Sequence, residues 1–192
     1  MTTEPSAYEQ AKASARSALR ARLLHVAGER LEAEGIEALS MRPLARAAGC
    51  STMVFYTEFQ SKDGLLDALA DDRAARLLEA VETVADIDVV SHRRAVVTAF
   101  LDAVDAMPEG YRVVVRAVAG EQRARARARA RLADVERRLV AALLPDDGNE
   151  LRLSGLVLAL RGAADHLVSG HADRTVLEPA LHAIVDAISS DT

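Results

Sequence analysis

Between residues 13 and 34 the apolar side chains Leu19, Leu23, Val26, Ala27 and Leu31 recur at intervals of three and four. That is the spacing of one buried face of an α-helix, and Gly35 is placed to end it. A short helix is expected over 41–48, with Ser40 offering an N-cap oxygen and Pro43 tolerated in the first turn. Gly49-Cys50-Ser51 breaks the pattern. Ser51 can cap a second short helix over 52–58, and Ser61 starts a long one running to about residue 85. Five further helices are predicted at about 91–106, 110–120, 122–144, 149–169 and 174–189, punctuated by Pro108, Pro145, Gly148 and Gly170. The β-branched run from Tyr111 to Val118 also fits an isolated strand, but no second strand is available to pair with it, so helix is preferred. The pattern thus predicts an all-α chain of about nine helices. A mobile tail is expected over 1–12, a three-helix domain over 13–60 and a larger helical domain over 61–192.

Composition supports this reading. Half of the 192 residues are hydrophobic and 28% are charged, ordinary for a globular chain able to bury a core, and alanine, leucine and arginine all favour helix. The single cysteine, Cys50, excludes an internal disulfide framework and leaves too few thiolates for a structural zinc site. No apolar signal region occurs in the first thirty residues, and the apolar run Leu156 to Leu160 is far short of the roughly 20 residues that span a bilayer. A soluble, cytoplasmic protein without a membrane partner is expected.

The net charge of −5 does not advertise nucleic-acid binding, so its distribution matters more than its sum. Residues 1–62 carry eight Lys/Arg against seven Asp/Glu, and the acidic excess lies beyond them. Lys12, Arg16, Arg20 and Arg22 fall in an acid-free stretch from Ala11 to Gly28. This patch fits either a phosphate-facing surface or a solvated helix face, and charge alone favours the second.

Two short helices joined by a tight glycine turn have helix-turn-helix geometry, whose second helix enters the major groove. Length alone would be weak evidence, because any bundle contains short turns. The aromatics strengthen it. Of six in the chain, Phe55, Tyr56 and Phe59 fall within five positions of the second short helix. Phe55 and Phe59 share a face at i, i+4, whereas Tyr56 is rotated about 100° from Phe55 and can reach a phosphate.

The segment Leu39-Ser-Met-Arg-Pro-Leu-Ala-Arg-Ala-Ala-Gly-Cys-Ser-Thr-Met-Val-Phe-Tyr-Thr-Glu-Phe-Gln-Ser-Lys-Asp-Gly-Leu-Leu66 resembles the DNA-binding signature of TetR-type regulators. The likeness covers about residues 13–70; beyond it, only length and helical character agree. It implies that Ser40 and Arg42 touch the DNA backbone or groove edge. Thr52, Met53, Val54 and Thr57 would face bases or the groove, while Tyr56 and Lys62 would hold phosphates. Lys62 is one of only two lysines in the chain, the other being Lys12.

One departure stands out. The family usually has His or Tyr at the position of Glu58, where a carboxylate would repel phosphate. Glu58 either accepts a hydrogen bond from a cytosine amino group or points away from DNA with Arg42 or Arg46 as partner; the second is preferred. The reading helix offers Thr, Met and Val but no Arg or Asn, so thymine methyls, Thr hydrogen bonds and DNA shape would carry its base preferences. Cys50 precedes a helix N-terminus, where a thiol can become reactive; a packed, inert thiol is expected instead.

In the second domain, residues 151–168 are apolar on nearly every face, so the helix must be covered on both sides. Small residues there permit close helix approach. Together with the last helix they predict a homodimer interface built from Gly155, Leu158, Ala159, Gly162, Leu181, Ile184, Val185 and Ile188, as the resemblance also implies. By the family's plan a ligand pocket would be lined from helices at about 66–85, 91–120 and 151–169. Phe100, Val104, Met107, Tyr111, Val114 and Val118 are candidates, each equally suited to ordinary core. Arg161 interrupts an apolar helix and either pairs with Asp165 at i+4, the preferred reading, or meets an acidic ligand. With no tryptophan and few aromatics, an aromatic cage for a cation is disfavoured, and an aliphatic or acidic molecule fits better.

The arginines alternating with alanine from 123 to 131 spread around a helix and read as a solvated face rather than a second nucleic-acid surface. Histidines 25, 92, 166, 171 and 182 show no metal-ligand spacing. No phosphate loop, nucleophile elbow or set-apart carboxylate pair is present, so neither cofactor nor enzyme activity is expected. The expectation is a transcriptional repressor that binds palindromic operator DNA as a dimer and is released by a small-molecule effector. An activator or ligand-independent regulator is the nearest alternative, and a helical carrier or enzyme with a vestigial reading head is the alternative from another class.

Overall fold

The computed structural model describes residues 6–84, 89–117, 122–143 and 150–190. The chain divides into two units, residues 1–69 and 70–192. Among the described residues there are nine α-helices, one short 3-10 turn and no strand.

The first unit contains α1 (Ala7–Glu34), α2 (Met41–Ala48), α3 (Thr52–Phe59) and the start of α4 (Lys62–Glu82). Residues 7–12, expected as tail, are helical. A capping box initiates α1 early: the Ser6 hydroxyl accepts from the Glu9 N–H at 3.3 Å, and the Glu9 carboxylate accepts from the Ser6 N–H at 2.9 Å. That reciprocal pair satisfies donors otherwise left unpaired at a helix start. The stripe of α1 buries Leu23, Ala27 and Leu31, while Leu19, at its expected head, stays exposed. Gly35 (φ 79°) then ends the helix with its N–H on the Leu31 carbonyl.

Ser40 and Ser51 occupy the N-cap positions of α2 and α3 in extended backbone, yet neither side chain makes the expected cap bond. Ser61 does cap its helix, accepting from the Gly64 N–H at 3.0 Å. The turn between α2 and α3 rests on Gly49 (φ 69°, ψ 33°), a left-handed conformation cheap only for glycine. Leu39, Leu44, Phe55, Leu65 and Leu69 are almost completely buried in this unit.

The second unit continues α4 and adds α5 (Val89–Ala106), α6 (Pro108–Ala117), α7 (Gln122–Leu143), α8 (Glu150–Ser169) and α9 (Arg174–Ser190). The segment that also fitted a strand is α6. The core is aliphatic: Val96, Val97, Leu101, Val104, Leu143, Leu156 and Val185 lose nearly all contact with water. Polar ties fix helix to helix around it. Arg174 pairs with Asp102 of α5 and with Glu178 of its own helix, and Glu178 also accepts from the Thr98 hydroxyl. These two donors, Thr98 first, hold the Glu178 carboxyl below the usual carboxylate range.

Candidate nucleic-acid interface

The short helix α3 could not persist alone, since isolated helices of fewer than about 12 residues are marginal. Its inner face anchors it. Phe55 is fully buried and Phe59 is 4% exposed, their ring centroids 5.8 Å apart. The opposite face is left outside: Met53 is 69% exposed and Tyr56 49%. Thr57 is exposed as well, while Thr52 and Val54 are partly buried. Ser40, Arg42 and Lys62 are all exposed. Every residue expected to touch DNA therefore keeps some surface available to a partner.

Thr57 is more constrained than its sequence implied. Its hydroxyl donates to the Met53 carbonyl at 2.8 Å. It can therefore offer a lone pair and a methyl to a partner, but its proton is engaged.

Glu58 points away from the open face, and its partner lies elsewhere than expected. Its side chain is only 7% exposed and accepts from Arg16 Nε of α1 at 3.0 Å; neither Arg42 nor Arg46 is the partner in this pair. Arg20, one turn on, donates to the Glu58 carbonyl oxygen at 3.0 Å and lies over the Phe59 ring, 4.7 Å from its centroid. Part of the basic patch on α1 thus brackets the end of α3. Position 58 faces α1, and a long-range partner at a separation of 42 residues has no local sequence signal. Cys50 is a free, partly buried thiol.

Within the second unit a cavity of about 400 Å³, its mouth included, is lined by Leu77, Phe100, Tyr111, Val114, Leu132, Val135, Glu136, Leu139, Val157, Leu160 and Arg161. Of the expected pocket residues, Phe100, Tyr111, Val114 and Arg161 are among these. Val104 and Met107 pack in the surrounding core instead, and Val118 lies outside the described residues. The contribution of α7 was missed. Its arginine-rich beginning reads as a solvated face, yet Leu132, Val135 and Leu139 already stood at helical spacing.

Arg161 pairs with Glu136 of α7 rather than with Asp165. Burial first, then the charge of Asp165, push the Tyr111 phenol well above its ordinary pKa. Among the described residues no group of three or more His, Cys, Asp or Glu could hold a metal ion. None of the described helices is long and apolar enough to cross a membrane.

The expected interface residues separate into two sets. Leu158 is 68% exposed, Gly155 is exposed, and Ala159, Gly162 and Ile184 keep part of their surface. Leu181 and Val185, by contrast, are buried in the unit's own core at 2% and 0% exposure, so they are not available to a partner, and Ile188 packs partly against that core.

A glycine-pivoted pair of short helices, with the second locked from behind and bare in front, defines a helix-turn-helix DNA-binding regulator. Residues 23–69 match the model of the bacterial regulatory proteins of the tetR family. Solved structures share the fold. A transcriptional regulator from Rhodococcus sp. RHA1 superposes with a TM-score of 0.74 at 20% identity, over 89% of this chain and 96% of that one. A tetR-family regulator from Streptomyces coelicolor gives 0.72 at 17% identity, over 91% and 80%. A TetR-like regulator from Rhodococcus sp. RHA1 gives 0.62 at 23% identity, over 87% and 93%. No curated protein matches the chain.

Proposed function

We propose that the protein is a transcriptional repressor that binds a palindromic operator as a homodimer in the cytoplasm and lets go when a small molecule occupies the second unit. The observation that carries this reading is the two-faced α3, immobilised by Phe55 and Phe59 while Met53 and Tyr56 face water. In this reading Thr52, Met53, Val54 and Thr57 meet the groove, Ser40 and Arg42 its edge, and Tyr56 and Lys62 the phosphates.

A dimer is supported by a stripe on α8. Leu151 (83% exposed), Gly155, Leu158 and Gly162 follow one another at helical spacing. A Cβ at either glycine would meet nothing within 4 Å. Val176 and Ile184 on α9 are also exposed. Two-fold pairing would set two reading heads at half-sites one helical turn, or a multiple, apart. Release requires an effector that binds one arrangement of the heads better than the other. The cavity supports such an effector, and α4 supports a route, since this one helix supplies residues to both units.

The test is recovery of bound genomic DNA followed by titration of the recovered site. Tyr56→Phe and Lys62→Ala should each weaken binding, and Lys62→Ala should also reduce the salt dependence by about one counterion. Unchanged affinity in both variants would sink the phosphate assignments. Failure to recover any salt-sensitive duplex would favour the carrier reading.

A further inference from the structure

The first three turns of α1 belong to no core. Residues 6–19 are all exposed, and the first buried side chain of the helix is Leu23. Without burial, a helical stretch this short is marginal in water. Two local features support it instead. Five alanines stand between residues 7 and 18, and alanine is the best helix former; the Ser6–Glu9 capping box closes the free end. The result is a rod about 18 Å long that overhangs its unit.

The overhang is one-sided in charge. A step of eleven residues turns a helix to within about 20° of its starting side, so Lys12, Arg16 and Arg20 lie in line with Leu23, Ala27 and Leu31. The line that is aliphatic in the core becomes cationic where the core ends. Arg16 and Arg20 are engaged by α3, at the Glu58 carboxylate and carbonyl. Glu58 is turned about 200° from Tyr56 on that helix, so α1 passes behind α3 at these two residues. Lys12 lies two turns before Arg20, about 12 Å further along the rod. It is exposed and, among the described residues, has no ion-pair partner. Glu9, the one acid between residues 7 and 18, is turned back onto the Ser6 N–H at 2.9 Å.

The chemistry of this surface selects its partner. Apart from Tyr8, 76% exposed, the overhang carries only alanine, serine, glutamine and charged residues. That is too little apolar and aromatic surface to seat a protein, whereas an unpaired cation on a preorganised rod suits a phosphate. The groove that admits a reading helix is about 12 Å wide and walled by phosphates, so a rod that clears the end of α3 by a similar length reaches the wall. We propose that the overhang of α1 is a second DNA contact, in which Lys12 holds a phosphate outside the base pairs that α3 reads. Tyr8, one turn further out, donates its hydroxyl proton to the same backbone. This inference rests on the reading of α3 as the helix that meets the groove.

The experiment titrates the full-length protein against the recovered operator duplex over a salt series, with the flanks of the duplex trimmed stepwise. Lys12→Gln removes the charge at nearly equal helix propensity. Its slope of log affinity against log salt should fall by about one per protomer, with hydrogen exchange at α3 unchanged, since Lys12 braces nothing there. Trimming the flanks should weaken wild type and have much less effect on the variant. Arg22→Gln, about 200° round α1 from Arg20, should keep the wild-type slope. The proposal is overturned if Lys12→Gln keeps the wild-type slope, or if Arg22→Gln lowers the slope equally, the mark of a diffuse field rather than a contact. It is equally overturned if trimming weakens wild type and Lys12→Gln alike. A wild-type slope for Lys12→Gln beside a reduced one for Lys62→Ala would refute the overhang alone. Absence of salt-sensitive binding to any duplex would sink the reading of α3 with it.

Discussion

Replacing Arg20 by alanine distinguishes two roles for the basic stretch of α1. In the structure Arg20 is a brace: it donates to the Glu58 carbonyl at 3.0 Å and covers the Phe59 ring at 4.7 Å. That carbonyl belongs to the last turn of α3, where intrahelical donors have run out, and a cation there also opposes the negative end of the helix dipole. A hydrogen bond from a charged donor contributes about 1.5–3 kcal/mol, and an exposed cation–π contact about 0.5–1 kcal/mol. The neighbouring Arg16–Glu58 pair remains in the variant but contributes little, because Arg16 is 67% exposed and screened pairs yield at most about 1 kcal/mol. A net loss of about 2 kcal/mol at α3 is therefore expected for Arg20→Ala.

The assay is hydrogen exchange of the α3 amides, paired with operator titrations across a salt series. Two kilocalories correspond to about 30-fold faster exchange at α3 if its opening is local. Operator affinity should fall because the reading helix must be ordered before it binds. The slope of log affinity against log salt should not change, since a brace displaces no counterion. A phosphate contact gives the opposite signature: normal exchange at α3 and a slope smaller by about one. That result would refute the bracing argument and return Arg20 to the DNA surface.

Other consequences are independent of that one. Gly64→Ala should destabilise the first unit by about 1–3 kcal/mol, read by chemical denaturation, because its Cβ would lie 2.0 Å from the Phe59 carbonyl oxygen, a backbone atom. Leu158→Glu should leave the fold intact, since that residue is 68% exposed, and should shift sedimentation from dimer to monomer; an unchanged dimer would move the interface elsewhere. Glu178→Gln should destabilise the second unit at neutral pH. The folded pKa of Glu178 is depressed, so its stabilisation is complete above the ordinary value of 4.5 and fades as pH falls through the depressed one. The denaturation difference between wild type and variant should accordingly shrink on acidification below that range, and a difference that grows there would contradict the assignment.

The elements were legible because their signals are local. Leu23, Ala27 and Leu31 repeat at the helical period, and Gly35, Gly49 and Gly170 stop helices through positive φ. The orientation of α3 was equally readable, since Phe55 and Phe59 share one face and Tyr56 does not. Partners across helices were not readable. Arg161 had an acid four residues on, at ideal spacing for a pair, yet α7 brings Glu136 to it. Likewise, Leu181 and Ile184 belong to one apolar set on α9, and only packing separates 2% exposure from 37%. Sequence periodicity specifies a face; which neighbour that face meets is a tertiary fact.

The same long-range logic shows in three of the arginines, which dominate a chain with two lysines among 24 basic residues. Arg20 donates to the Glu58 carbonyl near the end of α3, Arg93 to the Leu143 carbonyl at the end of α7, and Arg112 to the Val168 carbonyl near the end of α8. In each case an arginine from another helix supplies a donor to a helix end that has used up its own. Lysine could supply the charge, but the guanidinium fork directs one N–H at a carbonyl while another reaches a second acceptor. Arg112 does both, engaging Glu109 as well as Val168. These three arginines brace helix ends within each unit. Arg20→Lys tests this directly. If charge alone mattered, lysine would restore α3 protection fully; if the fork matters, protection should return only in part, with the cation retained but the directed bond to the Glu58 carbonyl weakened.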